Sequence, residues 1–392
     1  MTSSKLIDDL LSDRTYHIEF NGHLTNHAKH AVVALARLGA APEAIKRYYD
    51  NYAIETPYGF GLEQPRPPRV PISKENWRDF LGQRSHFASY CEFFDGQTEI
   101  YGLDSVLREY LPELLPGWVG AFTHATIHLG WGLDIESRWM VIEGLAYMAF
   151  AYVSCHPERA EATRGERGDN AVNSLFEIVD QWEKQRLGEW VENFLRQPAE
   201  PDGIHPELQR SGLQFRIARI LSVGHPLIYQ LPAWSFETEP RWDELYYLVT
   251  LLYLSQPGDF VILHLITSLH AMEQIADAAS PEIRNNVAQC FWIGMLGVIF
   301  AERLFVKRSK LQALHKLFHS SVDDVTARHS ADDWANIVGR AFEEEEEHNP
   351  KLVYVLKRLW ERTGGRTIYR AAAGQFTATP DLPPSFEQPA TE

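Results

Sequence analysis

Several of the sixteen histidines in this chain sit where a surface histidine would not. His23, His27 and His30 fall at i, i+4 and i+7, one stripe of a helix or of its N-terminal approach. From His27 the stripe runs on through Ala31, Ala34 and Leu38, so it faces an interior. His124 and His128 are spaced i, i+4 in an apolar segment. His264 and His270 lie in Val261–Ala271, a run with almost no polar face. Six residues at ~100° each turn those two roughly 120° apart, so they need not meet one partner. His348 closes a five-glutamate run, and Lys351 follows three residues later.

A buried imidazole costs free energy unless its nitrogens are bonded, and a lone one is ordinarily a core residue satisfied by backbone or water. Four apolar segments that each carry a histidine suit a shared transition metal held by nitrogen and oxygen. Spacing by itself leaves both readings open. The five-glutamate run reads as one solvated helix face.

Other chemistries lack their residues. There is no H-E-x-x-H and no H-x-E paired with C-x-x-C, which removes the commoner zinc hydrolases and deaminases. Cys91, Cys155 and Cys290 are far apart, so neither a disulfide framework nor a thiolate zinc site is expected. Gly59-Phe60-Gly61 and Gly130-Trp131-Gly132 lack the third glycine and the preceding strand of a dinucleotide fingerprint. No phosphate loop and no G-x-S-x-G elbow occur. A formal charge of −16 argues against nucleic acid or an anionic membrane surface as partner. No stretch approaches the ~20 apolar residues of a membrane span. A cytoplasmic, reduced setting is expected.

The elements that must position these residues are helices. Period-2 segments are almost absent, while helical periodicity recurs from end to end. Thr25-Asn26 predicts a helix start and Gly39 its stop. Phe122–Gly130 and Ile135–Val153 read as helices buried all round, and Asp259–Ala278 and Pro281–Phe305 as further helices. Glu55–Ser73, rich in proline and glycine, reads as a long ordered loop. Asn349-Pro350 predicts an N-cap and first helical residue, so His348 and Lys351 should flank a joint between two helices. The fold class is all-α, a large multi-helix assembly with a buried, histidine-rich site. One domain spans residues 1–371 with a candidate subdomain boundary at 197–205, and 372–392 has the composition of a disordered tail.

Four blocks carry a resemblance. Asn26-His27-x-x-His30-Ala31 with Leu38-Gly39-Ala40 resembles the opening motif of the questin oxidase-like family. Gly120-Ala121-Phe122-x-His124-x-x-Ile127 is similar to its second motif. Leu263-His264-x-Ile266-Thr267-Ser268-x-His270-Ala271 is similar to its third, and Trp334 through Glu347-His348-x-x-Lys351-Leu352 to its last. The chain departs from the family where Asn349-Pro350 replace the usual apolar pair, and at His128. The resemblance implies an oxygenase that opens anthraquinone-type rings, with non-haem Fe2+ among several histidines and a carboxylated lysine. On that basis His30, His124, His264 and His348 are the expected imidazole ligands and carboxylated Lys351 the oxygen ligand. His27 and His270 stand beside them as catalytic candidates, either as further ligands or as partners that orient the ligands. The expected partners are O2 and an aromatic or quinone-like substrate, with NADPH as a candidate external reductant. The rival readings are a flavin- or NADPH-dependent Baeyer–Villiger-type monooxygenase and a non-catalytic helical scaffold.

Overall fold

A computed structural model describes residues 3–162, 169–198, 204, 206–237 and 239–380. Among these, eighteen α-helices and five short 3-10 turns make up nearly all the regular structure. Sheet is confined to two pairings of two-residue strands. Glu19–Phe20 runs antiparallel to Leu24–Thr25, and Glu161–Ala162 runs parallel to Gln230–Leu231. The all-α class read from the periodicity is the observed one. No helix among the described residues is long and apolar enough to cross a membrane.

Four helices bring the histidine blocks together. The first, Ala28–Leu38, begins where Asn26 Oδ1 accepts the Ala28 N–H at 3.0 Å, and ends at Gly39, whose φ of 87° lets its N–H turn back to the Ala36 carbonyl. The second is His124–Asp134. The third, Phe260–Ala278, is capped by Asp259, whose carboxylate accepts the Ile262 N–H at 2.8 Å, and holds no interior glycine or proline. It is buried on every face from Ile262 to Met272, as its near-continuous apolar sequence requires. The fourth is His348–Arg362.

The second and third helices touch backbone to backbone. A Cβ added at Gly130 would lie 2.4 Å from the Ala271 Cα, so only glycine permits that crossing. The helix Arg138–Phe150 packs on the other side of the second in the same way, with a Cβ at Gly144 falling 2.4 Å from the Leu129 Cα. These contacts bring His124 and His264 within reach of each other.

The structure departs from the expected boundaries in two instructive places. The second helix starts at His124 and not Phe122, because Ala121, Phe122 and Thr123 take left-handed φ values of 50°, 52° and 67°. None is glycine, and each such residue costs roughly 1 kcal/mol or more. The strained turn aims His124 inward. The expected helix joint also lies earlier: the preceding helix ends at Glu343, and the next already includes His348. His348 and Lys351 therefore share the first turn of one helix, on one face at i, i+3.

The stretch 55–76 has no helix or strand, as its composition predicts. Of the candidate boundary 197–205, residues 199–203 and 205 lie outside the described residues. Of the tail 372–392, Ala372 and Ala373 end the helix Thr367–Ala373, and 381–392 lie outside the described residues. Thr377 is buried. It exchanges two hydrogen bonds with Asn349, its N–H donating to Oδ1 at 2.9 Å and its carbonyl accepting from Nδ2 at 3.0 Å.

Candidate metal centre

The site is best built from the two rings that the glycine contacts press together. His264 Nδ1 lies 2.7 Å from the Phe260 carbonyl, and His124 Nδ1 lies 2.6 Å from the Ala121 carbonyl. A carbonyl only accepts, so each Nδ1 carries the proton and each neutral ring presents a bare Nε2. Those two Nε2 atoms face each other at 2.9 Å. Two lone pairs at that distance repel unless something electron-poor lies between them or beside both. A proton is a weak answer here. Burial foremost, with the nearby Lys351 charge, holds His124 down to about 3, and burial with the neighbouring imidazoles pushes His264 well below the usual range.

His348 repeats the pattern. Its Nδ1 donates to the Glu346 carboxylate, while its Nε2 is buried without any hydrogen-bond partner. Its ring centroid lies 4.7 Å from His264 and 4.6 Å from His27. His27, His124 and His348 each offer a ligand atom within 4.8 Å of the others, and Glu346, Glu347 and His348 form an overlapping trio. Both Glu347 oxygens are buried and unpartnered. Burial, then the Glu346 charge, raises the Glu347 carboxyl, with Lys351 pulling it back. Three buried ligand-type atoms without hydrogen-bond partners, gathered in one spot, suit a cation, so the residues present fit a metal.

Lys351 is fully buried, with its Nζ 2.8 Å from His27 Nδ1. Desolvation pulls its amine down from the ordinary lysine range, and Glu347 and Glu346 draw it partly back. His30 lies beside this group, not in it. Its Nδ1 stands 3.2 Å from His27 Nδ1 and its Nε2 3.0 Å from His128 Nδ1, so both nitrogens are engaged. His270 is elsewhere: Arg358 donates to its Nδ1 at 2.8 Å, and its Nε2 faces Asp134 Oδ2 at 3.4 Å. Of the expected residues, the structure thus gathers His124, His264, His348, Lys351 and His27, sets His30 one step behind, and separates His270.

The questin oxidase-like family model matches residues 24–356, which take in all four histidine blocks. The chain belongs to the questin oxidase-like family. A Baeyer-Villiger oxidase of Paecilomyces divaricatus is 31% identical over 142 residues, 33% of this chain and 29% of that protein. The questin oxidase of Aspergillus terreus is 24% identical over 220 residues, 51% of this chain and 45% of that one. A Baeyer-Villiger oxidase of Pestalotiopsis microspora is 22% identical over 323 residues, 75% of this chain and 69% of its own. The chain is matched to less than half the length of the first two.

In this questin oxidase-like protein an aromatic wall borders the imidazoles. Phe122 lies 4.5 Å from the His264 ring, Phe260 lies 4.8 Å from His348, and the two phenyl rings stack with an interplanar angle of 23°. Within the stretch 55–76, Tyr58 lies close enough to feel the charges of the same centre. Burial, then the charges of Glu347 and Glu346, raises the Tyr58 hydroxyl. The segment after the last helix reaches it too, where the Thr379 hydroxyl donates to Glu346.

Sequence reasoning missed the two carboxylates. Glu346 and Glu347 were expected on a solvated helix face, but they are 4% and 0% exposed because the chain leaves the helix at Glu344 and turns inward. The available signal was their position next to the apolar His348 segment, which a run of five like charges masks.

Proposed function

We propose that this protein is a non-haem iron oxygenase acting with O2 on an aromatic or polycyclic, quinone-like substrate. His27, His124, His264 and His348 would hold the iron by their Nε2 atoms, with Lys351 as a carbamate. His27 takes the place that the sequence reading assigned to His30, because both His30 nitrogens are engaged by other imidazoles. The observation that carries the reading is the 2.9 Å approach of two bare Nε2 atoms beside the unpartnered Nε2 of His348. Bound iron would supply the redox change and the open position that O2 chemistry needs.

The chain's own residues supply the rest. Glu346, accepting from His348 Nδ1, keeps that ring's Nε2 free of a proton. The Ala121 and Phe260 carbonyls do the same for His124 and His264. A lysine amine kept neutral by burial attacks CO2, forming an N–C bond as one C=O π bond opens onto oxygen, and loses one proton. Glu347, in its ionised form, is the nearby acceptor for that proton. The product is an anion where a protonated lysine would repel a cation. The stacked Phe122 and Phe260 rings offer a flat apolar surface for a planar substrate and keep water from the imidazoles.

A second reading draws on the names of the relatives, several of which are Baeyer-Villiger oxidases. It has NADPH or a flavin as the reductant in a ring-oxygenating monooxygenase. Elemental and optical analysis of the purified chain separates the readings. The iron reading expects near-stoichiometric iron and no flavin absorbance. A chain that turns over substrate with flavin or NADPH and no metal would overturn it, and a chain with neither cofactor nor turnover would be a binding protein.

A further inference from the structure

Behind the candidate centre a line of buried polar groups, unused by the function above except for its last member, His27, runs outward. Glu143, on the helix Arg138–Phe150, receives the Lys29 ammonium on Oε2 at 2.6 Å, and the same oxygen lies 3.2 Å from His128 Nε2. His128 Nδ1 lies 3.0 Å from His30 Nε2, and His30 Nδ1 lies 3.2 Å from His27 Nδ1. All five side chains are at most 7% exposed. Burying five such groups is costly unless each bond is satisfied, so the line has one consistent proton arrangement.

That arrangement is set at the carboxylate end. Glu143 carries the Lys29 ion pair and can only accept, so His128 must hold its proton on Nε2 and leave Nδ1 bare. The bare Nδ1 makes His30 donate from Nε2, which leaves His30 Nδ1 bare in turn. His27 then donates from Nδ1, and its Nε2 is left without a proton. That Nε2 is on the side of the centre, 3.8 Å from Glu347 Oε1. The competing arrangement has the Lys351 amine donate to His27 Nδ1 across their 2.8 Å contact. It would put two bare Nδ1 atoms face to face at 3.2 Å and place the His27 proton on Nε2, so that a metal could bind there only after the tautomer shifts.

We propose that Glu143, His128 and His30 form a carboxylate-anchored imidazole relay that holds His27 as the Nδ1–H tautomer, with its Nε2 bare toward the candidate metal centre. These are positioning residues, and Lys29 keeps the anchor ionised. The proposal rests on the metal reading for its purpose, but not for its protonation pattern. That pattern is a property of the metal-free chain.

The test is a two-bond 1H–15N correlation spectrum of the full chain, metal-free and labelled at histidine. The expected pattern is Nε2–H for His128 and His30 and Nδ1–H for His27. In Glu143→Gln the amide can donate as well as accept, so mixed tautomers should appear at His30 and His27. Anaerobic Fe2+ affinity should fall roughly 10–100-fold, the usual effect of losing an orienting partner. His128→Gln, which interrupts the line in the middle, should give the same two changes and serves if the first variant fails to fold. Nδ1–H on His30 in the wild type would overturn the relay. So would two folded variants that keep wild-type tautomers and Fe2+ affinity. A wild-type chain with the expected tautomers that binds no Fe2+ would sink the metal reading and leave the relay pattern standing.

Discussion

Two buried sites built around His264 and His270, six residues apart on one helix, obey opposite rules. Around His270 every nitrogen has a complementary partner: the Arg358 guanidinium donates to Nδ1, and Nε2–H faces the Asp134 carboxylate, which also receives the Tyr354 hydroxyl. Trp131 and Tyr354 close the ring in edge-on at 5.6 and 5.5 Å. Around His264 the nitrogens that should be complementary are alike. Bare Nε2 faces bare Nε2, and the His348 Nε2 faces no partner at all. Burial is equally complete in both places. Burial alone therefore does not mark a metal site; the mismatch of donors and acceptors does.

The comparison breaks most sharply at His264. His264→Ala should remove bound iron and abolish turnover, a larger loss than the roughly 10–100-fold cost of an orienting partner, while circular dichroism stays helical. His270→Ala should keep the iron. A His264 variant with wild-type iron content would place His264 in the satisfied class.

Next in size is Lys351. Arginine keeps the charge but cannot form a carbamate, so Lys351→Arg should lose iron at least as fully as Lys351→Ala. Stripping CO2 at low pH should weaken iron retention reversibly, and readmitting bicarbonate should restore it. Full iron in Lys351→Arg would reduce this lysine to a buried structural neighbour of His27.

Acid should act on the two groups in different windows. The imidazoles of the centre have folded-state pKa values below the unfolded value near 6.5, so the metal-free fold loses stability as pH falls below 6.5. The loss is about 1.4 kcal/mol per pH unit for each imidazole kept neutral, continuing for His124 until about 3. Asp134 behaves as a depressed carboxylate. Burial alone would raise it, but His270, Tyr354 and Arg37 hold it at about 2. Its contribution of about 2 kcal/mol is present above pH ~4 and disappears as pH falls through 2. Urea unfolding of the metal-free chain at pH 7, 5 and 3 should show the first slope, and added Fe2+ should steepen it.

The smallest effect sharpens the other side of the comparison. Asp134→Asn should destabilise the fold by about 2 kcal/mol at pH 7 and flatten the response between pH 4 and 2, with iron content and turnover unchanged. A loss of iron in that variant would couple the two groups after all.

Much of this was legible locally. Helical period, the glycine stop at Gly39 and the absence of alternating segments settle the all-α class, because each depends on residues within one or two turns of each other. The same local patterns place histidines at positions 30, 124, 264 and 348 on apolar faces and put Lys351 beside one of them. Which imidazoles meet is a different kind of fact. His27 and His30 share one stripe, three residues apart. What distinguishes them is His128 and Glu143, about a hundred residues away, which engage His30 and leave His27 facing inward. The burial of Glu346 and Glu347 depends on where the chain leaves its helix, and the approach of His124 to His264 on two glycines whose partners lie on other helices. Hydrogen-bond complementarity is decided atom by atom between distant segments, so only the tertiary structure could separate a satisfied histidine from a waiting ligand.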